Sequence, residues 1–118
     1  MANGSLLVNM RNTPTDPCHC RQQAWSHDGG SSYGLAAPAP NLTDPSCQGS
    51  VIATESGGAH LLWVTNAGSR PPHYQSRMNG LLHVSTTGGE TWDLALKIPS
   101  GQLNFECESS AAALLLFA

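Results

Sequence analysis

Two stretches of the chain repeat one pattern of residue types, and both carry the signature of a tight turn between strands. Residues 26–33 read Ser-His-Asp-Gly-Gly-Ser-Ser-Tyr, and residues 85–92 read Ser-Thr-Thr-Gly-Gly-Glu-Thr-Trp. A short polar residue before two glycines favours a hairpin, because glycine reaches positive φ and the Asp28 or Thr87 side chain can accept bonds from N–H groups of the turn. The large aromatic that follows is expected to pack under the turn. A repeated unit of this kind predicts an array of similar β-units, each too small to bury its apolar face alone.

The composition fits a turn-rich β protein with a modest core. Of 118 residues, 12 are Gly and 8 are Pro, and charged residues make up only 11%. Such a profile is more typical of β proteins than of helical ones. The net charge is −3 with five Lys and Arg residues, which argues against a nucleic-acid surface with many phosphate contacts. The apolar tail at 111–118 is much shorter than a membrane span. We therefore predict no nucleic-acid partner and no membrane span.

Strand-like runs recur along the chain, and no segment before the Ala/Leu-rich tail has a convincing helical period. Strands are predicted at 5–12, 21–26, 50–54, 60–65, 80–85 and 94–98, with a hairpin turn at Gly57-Gly58. The Pro-rich residues 34–45 are predicted to form an extended connection between two β-units. The predicted fold class is all-β, and antiparallel strands at this spacing fit a β-propeller best and a sandwich second.

The repeated stretches resemble the Asp-box of sialidase-type β-propellers, whose pattern is Ser-x-Asp-x-Gly-x-Thr-Trp. The first stretch has Ser and Tyr in the last two places, and the second has Thr87 in the Asp position. Three further segments resemble the sialidase family in the family's order: residues 3–12, the Pro-Cys-His-Cys-Arg run at 17–21 and the Asp-Pro-Ser-Cys-Gln-Gly-Ser run at 44–50. Arg77 stands eight residues before Ser85, the offset that the family uses for an arginine ahead of an Asp-box. The resemblance covers roughly residues 3 to 98.

The resemblance implies exo-α-sialidase chemistry on sialylated glycans. In that family three arginines bind the sialic acid carboxylate, an Asp is the general acid and a Tyr assisted by a Glu is the nucleophile, an exception among glycosidases. Matched by position, Arg11 is the second of these arginines and Arg77 the third. Arg21 is expected to be a structural partner of a turn carboxylate. For Asn66, a place near the pocket and a loop-capping role both remain open.

Several family residues have no match in this chain. The first arginine, the general acid and the Glu are expected upstream of Met1, and the turn dipeptide Asn3-Gly4 has no earlier strand to pair with. Phe105 stands near the expected nucleophile position, and no Tyr follows Tyr74. We therefore predict that residues 1–118 are a fragment of a six-bladed propeller, covering two to three four-stranded antiparallel blades, with no catalytic residue of its own. The register after residue 101 is open. The alternative is a non-catalytic carbohydrate-binding or interaction module on the same blades.

The cysteines and one sequon bear on cofactors and compartment. Cys18-His19-Cys20 looks like a metal pair, but zinc sites usually have two to four residues between cysteines and need four ligands. Free or partly buried thiols are the favoured interpretation, and we predict no metal and no cofactor. Residues 41–43 form a glycosylation sequon. The family resemblance suggests a lysosomal or secreted location, which the residues themselves do not fix.

Overall fold

The computed structural model describes residues 4–13, 15–68 and 79–98, and every regular element in these ranges is a β-strand. The strands form two antiparallel sheets, one with the order β1-β2-β3 and one with the order β4-β5-β6-β7. The all-β prediction is confirmed, and the two sheets are compatible with part of a β-propeller. In the ranges described, no helix has the length and apolar character needed to cross a membrane.

The first sheet contains a strand that the sequence did not predict. It consists of β1 (Leu6–Met10), β2 (Cys20–Ser26) and β3 (Ala37–Thr43). The third strand lies inside the segment predicted as an extended connection, so that prediction was wrong. Pro38 and Pro40 fall within it, and proline lacks the N–H group that an interior strand needs. Among the described strands, β3 pairs only with β2 and lies at the edge of its sheet, so one side of its backbone needs no ladder bonds.

The second sheet is a four-stranded meander, as expected for one blade. Its strands are β4 (Ser50–Ser56), β5 (Ala59–Ala67), β6 (Gly80–Ser85) and β7 (Asp93–Ile98). The predicted hairpin joins β4 to β5, with φ of 57° at Gly57 and 80° at Gly58. Two consecutive residues at positive φ match the twist of the flanking strands. The predicted strands are thus found, with boundaries shifted by a few residues.

The two sheets pack face to face around a small apolar core. Leu7 of β1 packs against this core. Its buried members come from both sheets and are Ala39, Leu42, Leu62, Val64 and Trp92. Trp92, only 4% exposed, closes the second box and inserts between the sheets. With the Gln23 amide oriented to satisfy both groups, its oxygen accepts from Trp92 Nε1 at 2.9 Å and its nitrogen donates to the Gly89 carbonyl at 3.2 Å. The indole therefore joins the sheets by both its apolar surface and its N–H group.

The two box turns share one hydrogen-bond pattern despite their different residues. Ser26 Oγ accepts from the Gly30 N–H at 2.8 Å, and Ser85 Oγ accepts from the Gly89 N–H at 2.9 Å. The side chain of the third residue in each box accepts from the backbone N–H of the seventh, at 2.9 Å in both cases: Asp28 Oδ1 from Ser32, and Thr87 Oγ1 from Thr91. A hydroxyl can therefore replace the carboxylate, because the turn requires one acceptor at that point.

The aromatic residues of the two boxes differ in burial. Trp92 lies under its turn, as predicted, but Tyr33 is 46% exposed. A Cβ on Gly30 would lie 3.1 Å from Leu6 and 3.6 Å from the Tyr33 hydroxyl. Leu6 is on the face of the first sheet that points away from the second sheet. No described sheet covers that face, so the expectation that Tyr33 packs like Trp92 was wrong.

We predict that Asp28 makes the first box sensitive to acid, whereas the second box is not. Hydrogen bonds from the Ser32 side chain and backbone, and then from Ser26, hold the pKa of Asp28 well below its ordinary value. Because the pKa of Asp28 is lower in the folded chain, its ionised carboxylate stabilises the fold. This stabilisation is fully present above the unfolded-state pKa of about 3.9 and is lost progressively as the pH falls below that pKa. Asp28→Thr, which copies the second box, should therefore lower the urea midpoint more at pH 6 than at pH 3.

The matched control for this experiment is Thr87→Val, which removes the corresponding acceptor of the second box. Because Thr87 carries no titrating group, the loss of stability in this variant should be the same at both pH values. Comparing each variant with the unmodified chain at the same pH cancels the contributions of the other carboxylates. A loss for Asp28→Thr that is equally large at pH 3 and pH 6 would contradict the assignment.

Candidate functional site

Neighbouring strands run in opposite directions, so their ends lie along two opposite sides of the sheets, which we call edges. The box turns and the Gly57-Gly58 hairpin lie at one edge, because they follow β2, β6 and β4. At the opposite edge β1, β3 and β5 end and β2, β4 and β6 begin. We call this second edge the arginine edge, since Arg11 directly follows the end of β1 there and is exposed. Arg77 and Phe105 lie outside the described residues, and the described chain resumes at Asn79 on the arginine edge.

A buried arginine lies behind Arg11 at this edge. Arg21, 3% exposed, is near the start of β2. Its Nε donates to Asn9 Oδ1, and its Nη1 donates to the Cys47 carbonyl at 3.2 Å. Nη1 also lies 3.6 Å from Asp44 Oδ2, and both side chains are almost completely buried. The expectation that Arg21 is a structural partner of a turn carboxylate is confirmed.

Asp44 connects three segments of the arginine edge through one fully buried carboxylate. Its Oδ2 accepts from the Asn12 N–H at 2.9 Å, and its Oδ1 accepts from the Cys47 N–H at 2.9 Å. With the ion pair to Arg21, Asp44 thus binds the loop after β1, the start of β2 and the connection to β4. A buried charge is stable only when it is paired and hydrogen-bonded in this way.

The electrostatic surroundings distinguish the two arginines. Burial lowers the pKa of Arg21, the Asp44 carboxylate raises it, and the nearby positive charge of Arg11 lowers it again. The charge of Arg21 is therefore balanced inside the protein by Asp44. Arg11 makes no ion pair with a residue in the described ranges, and its guanidinium is exposed. This arrangement presents one cation to solvent, and an exposed guanidinium can bind a carboxylate through two parallel hydrogen bonds.

Close backbone packing fixes the rest of the edge. A Cβ on Gly49 would lie 2.8 Å from the Thr65 carbonyl and 2.9 Å from Arg21 Nη1, so this position has room only for glycine. Asn66, which is 5% exposed, donates from Nδ2 to the carbonyls of Thr43 and Ala67. Of the two roles left open for Asn66, the structure supports capping of the strand ends rather than exposure in a pocket.

The cysteine prediction was wrong. Cys18 and Cys20 form a disulfide across a single intervening residue, and Cys47 is also disulfide-bonded. There is no free thiol in the described part of the chain. His19, held between the two bonded cysteines, has a φ of 47°, which non-glycine residues rarely adopt. Within those same ranges, no three His, Cys, Asp or Glu side chains are grouped as a metal site would require.

A groove lies between β3 of the first sheet and the strands β6 and β7 of the second. This groove, about 510 Å³ in volume, is lined by Asn41, Thr43, His83 and Lys97 among others. Burial lowers the pKa of His83, and its Nδ1 has no hydrogen-bond partner among the described residues. Asn41, the sequon residue, is exposed and donates to the Trp92 carbonyl at 3.4 Å. The groove follows the sheet interface and does not include Arg11.

Sequence reasoning missed the residues that hold the arginine edge together. Asp44 is the first residue of the 44–50 motif, but nothing in the spacing of that motif showed that Asp44 bonds to both Asn12 and Arg21. Asn9 and Asn12 flank Arg11 in the sequence, and their amides reach Arg21 and the Cys20 carbonyl. The available signal was the cluster of polar residues at the end of an apolar strand, where side-chain amides often satisfy backbone groups.

The fold and the edge together define a propeller-like β protein with an exposed arginine opposite its box turns. No protein-family model matches the chain. A curated protein from Micromonospora viridifaciens named "Sialidase" is 29% identical to it over 111 residues, which cover 89% of this chain and 16% of that protein. The chain thus spans about a sixth of the length of this relative. The similarity supports a sialidase-like, and therefore glycoside hydrolase-like, relationship.

We predict that Asp44→Asn strongly destabilises the chain. The substitution removes the negative charge that balances buried Arg21, and breaking a buried ion pair typically costs about 3–5 kcal/mol. Urea unfolding followed by circular dichroism measures the loss, which would leave the chain largely unfolded if its total stability is of similar size. Asp93→Asn is the control, because Asp93 is exposed in β7 and should change stability by less than about 0.5 kcal/mol. A loss below about 1 kcal/mol for Asp44→Asn would contradict the role given to this carboxylate.

Proposed function

We propose that this chain is the carboxylate-binding part of an exo-α-sialidase, a glycoside hydrolase that releases terminal sialic acid from glycoproteins, glycolipids and oligosaccharides. The observation that carries the proposal is the position of Arg11. It is exposed at the edge opposite both box turns, and the buried Arg21–Asp44 pair lies directly behind it. The similarity to a protein named "Sialidase" supports the same function.

The chemistry of sialic acid explains why an arginine suits this position. The sugar carries a carboxylate on its anomeric carbon, and the planar guanidinium matches a carboxylate in a bidentate geometry that lysine cannot reproduce. Arg11 supplies one such group, and Arg77 is proposed to supply a second. A carboxylate nucleophile would be repelled by the substrate carboxylate, which is consistent with the use of a neutral Tyr in sialidases.

The role proposed for this chain is binding and orientation, not bond cleavage. Tyr33 is at the box-turn edge and is therefore remote from Arg11. Phe105, near the expected nucleophile position, has no group that can attack a carbon atom. The general acid, the Glu and the first arginine are proposed to come from other parts of a longer protein. Disulfide bonds persist in oxidising compartments, so those of Cys18, Cys20 and Cys47 support a secreted or lysosomal location.

One observation favours a second candidate, a non-catalytic carbohydrate-binding module. The sequence has no Tyr after Tyr74, so the nucleophile expected after the second box has no match in residues 75–118. A module of this kind would keep the arginine edge and bind acidic sugars without hydrolysing them. The two candidates differ in the full-length protein, where only the enzyme releases sialic acid from a fluorogenic sialoside.

We predict that the chain binds N-acetylneuraminic acid through Arg11. A charge-assisted hydrogen bond contributes about 1.5–3 kcal/mol, so Arg11→Ala should weaken binding roughly tenfold or more in a ligand-observed NMR titration. Arg11→Lys should also weaken binding, because an ammonium group cannot form the bidentate contact. Lys97→Ala, which removes a cation from the groove and not from the arginine edge, is the matched control. Equal binding of the neutral methyl ester of the sugar would show that no carboxylate contact exists.

The isolated chain should not hydrolyse a fluorogenic sialoside above background. Phe105→Tyr alone should not create activity, because a tyrosine nucleophile also needs a base and the leaving group needs an acid. The measurement is a fluorescence assay with a heat-denatured sample of the same chain as its blank. Turnover by the unmodified chain would show that the catalytic residues have been misplaced.

A further inference from the structure

We propose that the Cys18–Cys20 disulfide is a site of thiol–disulfide exchange, and that its reduction by a dithiol loosens the arginine edge. The effect on sugar binding rests on the function proposed for Arg11, whereas the exchange itself does not. The disulfide joins Cys18 to Cys20, the first residue of β2, beside the Asp44 network. Cys18 is exposed and Cys20 is 1% exposed, so an incoming thiolate can reach Cys18 and not Cys20.

Two properties of the loop favour reduction. A disulfide stabilises a protein by restricting the unfolded chain, and this gain increases with the length of the closed loop. Here the loop contains only His19, so the restriction is small. His19 also has a φ of 47°, a conformation that non-glycine residues occupy only when their surroundings impose it. Opening the disulfide removes one constraint that keeps His19 in this conformation.

The exchange requires a dithiol and proceeds in two balanced steps. A thiolate of the dithiol attacks Cys18 Sγ, the S–S bond breaks, and Cys20 leaves as a thiolate that takes up a proton. The second thiol of the reagent then attacks the mixed disulfide and releases Cys18 as a thiol. The protein gains two electrons and two protons, and the dithiol becomes a cyclic disulfide.

Hydrogen bonds to the carbonyl groups of His19 and Cys20 connect the disulfide loop to Asp44 and Asn12. The His19 carbonyl accepts from the Asp44 N–H at 2.9 Å, and the Cys20 carbonyl accepts from Asn12 Nδ2 at 2.7 Å. The Asn12 N–H in turn donates to Asp44 Oδ2. Asn12 is the neighbour of Arg11 in the sequence. A change in the backbone of His19 and Cys20 therefore acts on Asp44 and on Asn12, the residue next to Arg11 in the chain.

The test titrates the whole 118-residue chain with dithiothreitol and follows three readouts. Alkylation and mass spectrometry identify which cysteines are reduced, hydrogen exchange reports the amides of Asn12 and Asp44, and NMR measures binding of N-acetylneuraminic acid. We expect Cys18 and Cys20 to be alkylated at a lower dithiol concentration than Cys47. In that range the two amides should exchange about tenfold faster, and sugar binding should weaken several-fold.

The double variant Cys18→Ser, Cys20→Ser is the matched control. It should show the fast amide exchange without reductant and should not respond to dithiol at concentrations that leave Cys47 oxidised. If this variant does not fold, the titration of the unmodified chain decides alone. Reduction of Cys47 before Cys18, or reduction of Cys18 without faster exchange at Asn12 and Asp44, overturns the proposal. Failure of the oxidised chain to bind the sugar contradicts the proposed function. The alkylation and exchange results still decide whether reduction of the Cys18–Cys20 disulfide loosens the arginine edge.

Discussion

The buried carboxylate of Asp44 is the interaction on which the arginine edge depends. It is completely removed from water, yet both of its oxygens accept backbone N–H groups, and the Arg21 guanidinium balances its charge. Taking a carboxylate out of water is so unfavourable that the surrounding segments must supply these partners together. The positions of the loop after β1 and of the connection to β4 are therefore coupled. Arg11 is exposed, but the residue that follows it, Asn12, is buried and bonded through its backbone to Asp44.

The opposite end of the sheet interface is held by an aromatic contact of a different kind. Trp92 contributes apolar surface to the core and an indole N–H to Gln23, while the Trp25 indole donates to the Gly88 carbonyl at 3.2 Å. A Cβ on Gly89 would lie 2.6 Å from Leu7, so the turn and β1 are in close contact. Thus the second box not only ends a hairpin but also joins one sheet to the other. This explains why its Trp is buried and the Tyr of the first box is not.

The parts of the structure that sequence reasoning predicted depend on local chemistry. Gly-Gly turns, alternating strands and the box pattern each follow from residues close together in the chain, and the structure contains them. β3 was missed because its two prolines disfavour strands in general, and only the sheet order shows that it is an edge strand. The Cys18–Cys20 bond was missed because free or partly buried thiols were the favoured interpretation, and nothing in the spacing pointed to a disulfide across a single residue. The role of Asp44 could not be predicted, since its partners lie 3 to 32 residues away and meet only after folding.

The order of the strands also determines when the core can form. Within each sheet, every described strand pairs with the strand before or after it in the sequence. The main strand contact between the two sheets joins β3 to β5. Such pairing has short loops to close, so each hairpin can form soon after its second strand is synthesised. The core shared by the two sheets is nevertheless complete only when Trp92 has been synthesised. At about 5–20 residues per second, Leu42 leaves the ribosome some seconds before this indole. For that interval the growing chain exposes part of its apolar core, the kind of surface through which incompletely folded chains aggregate.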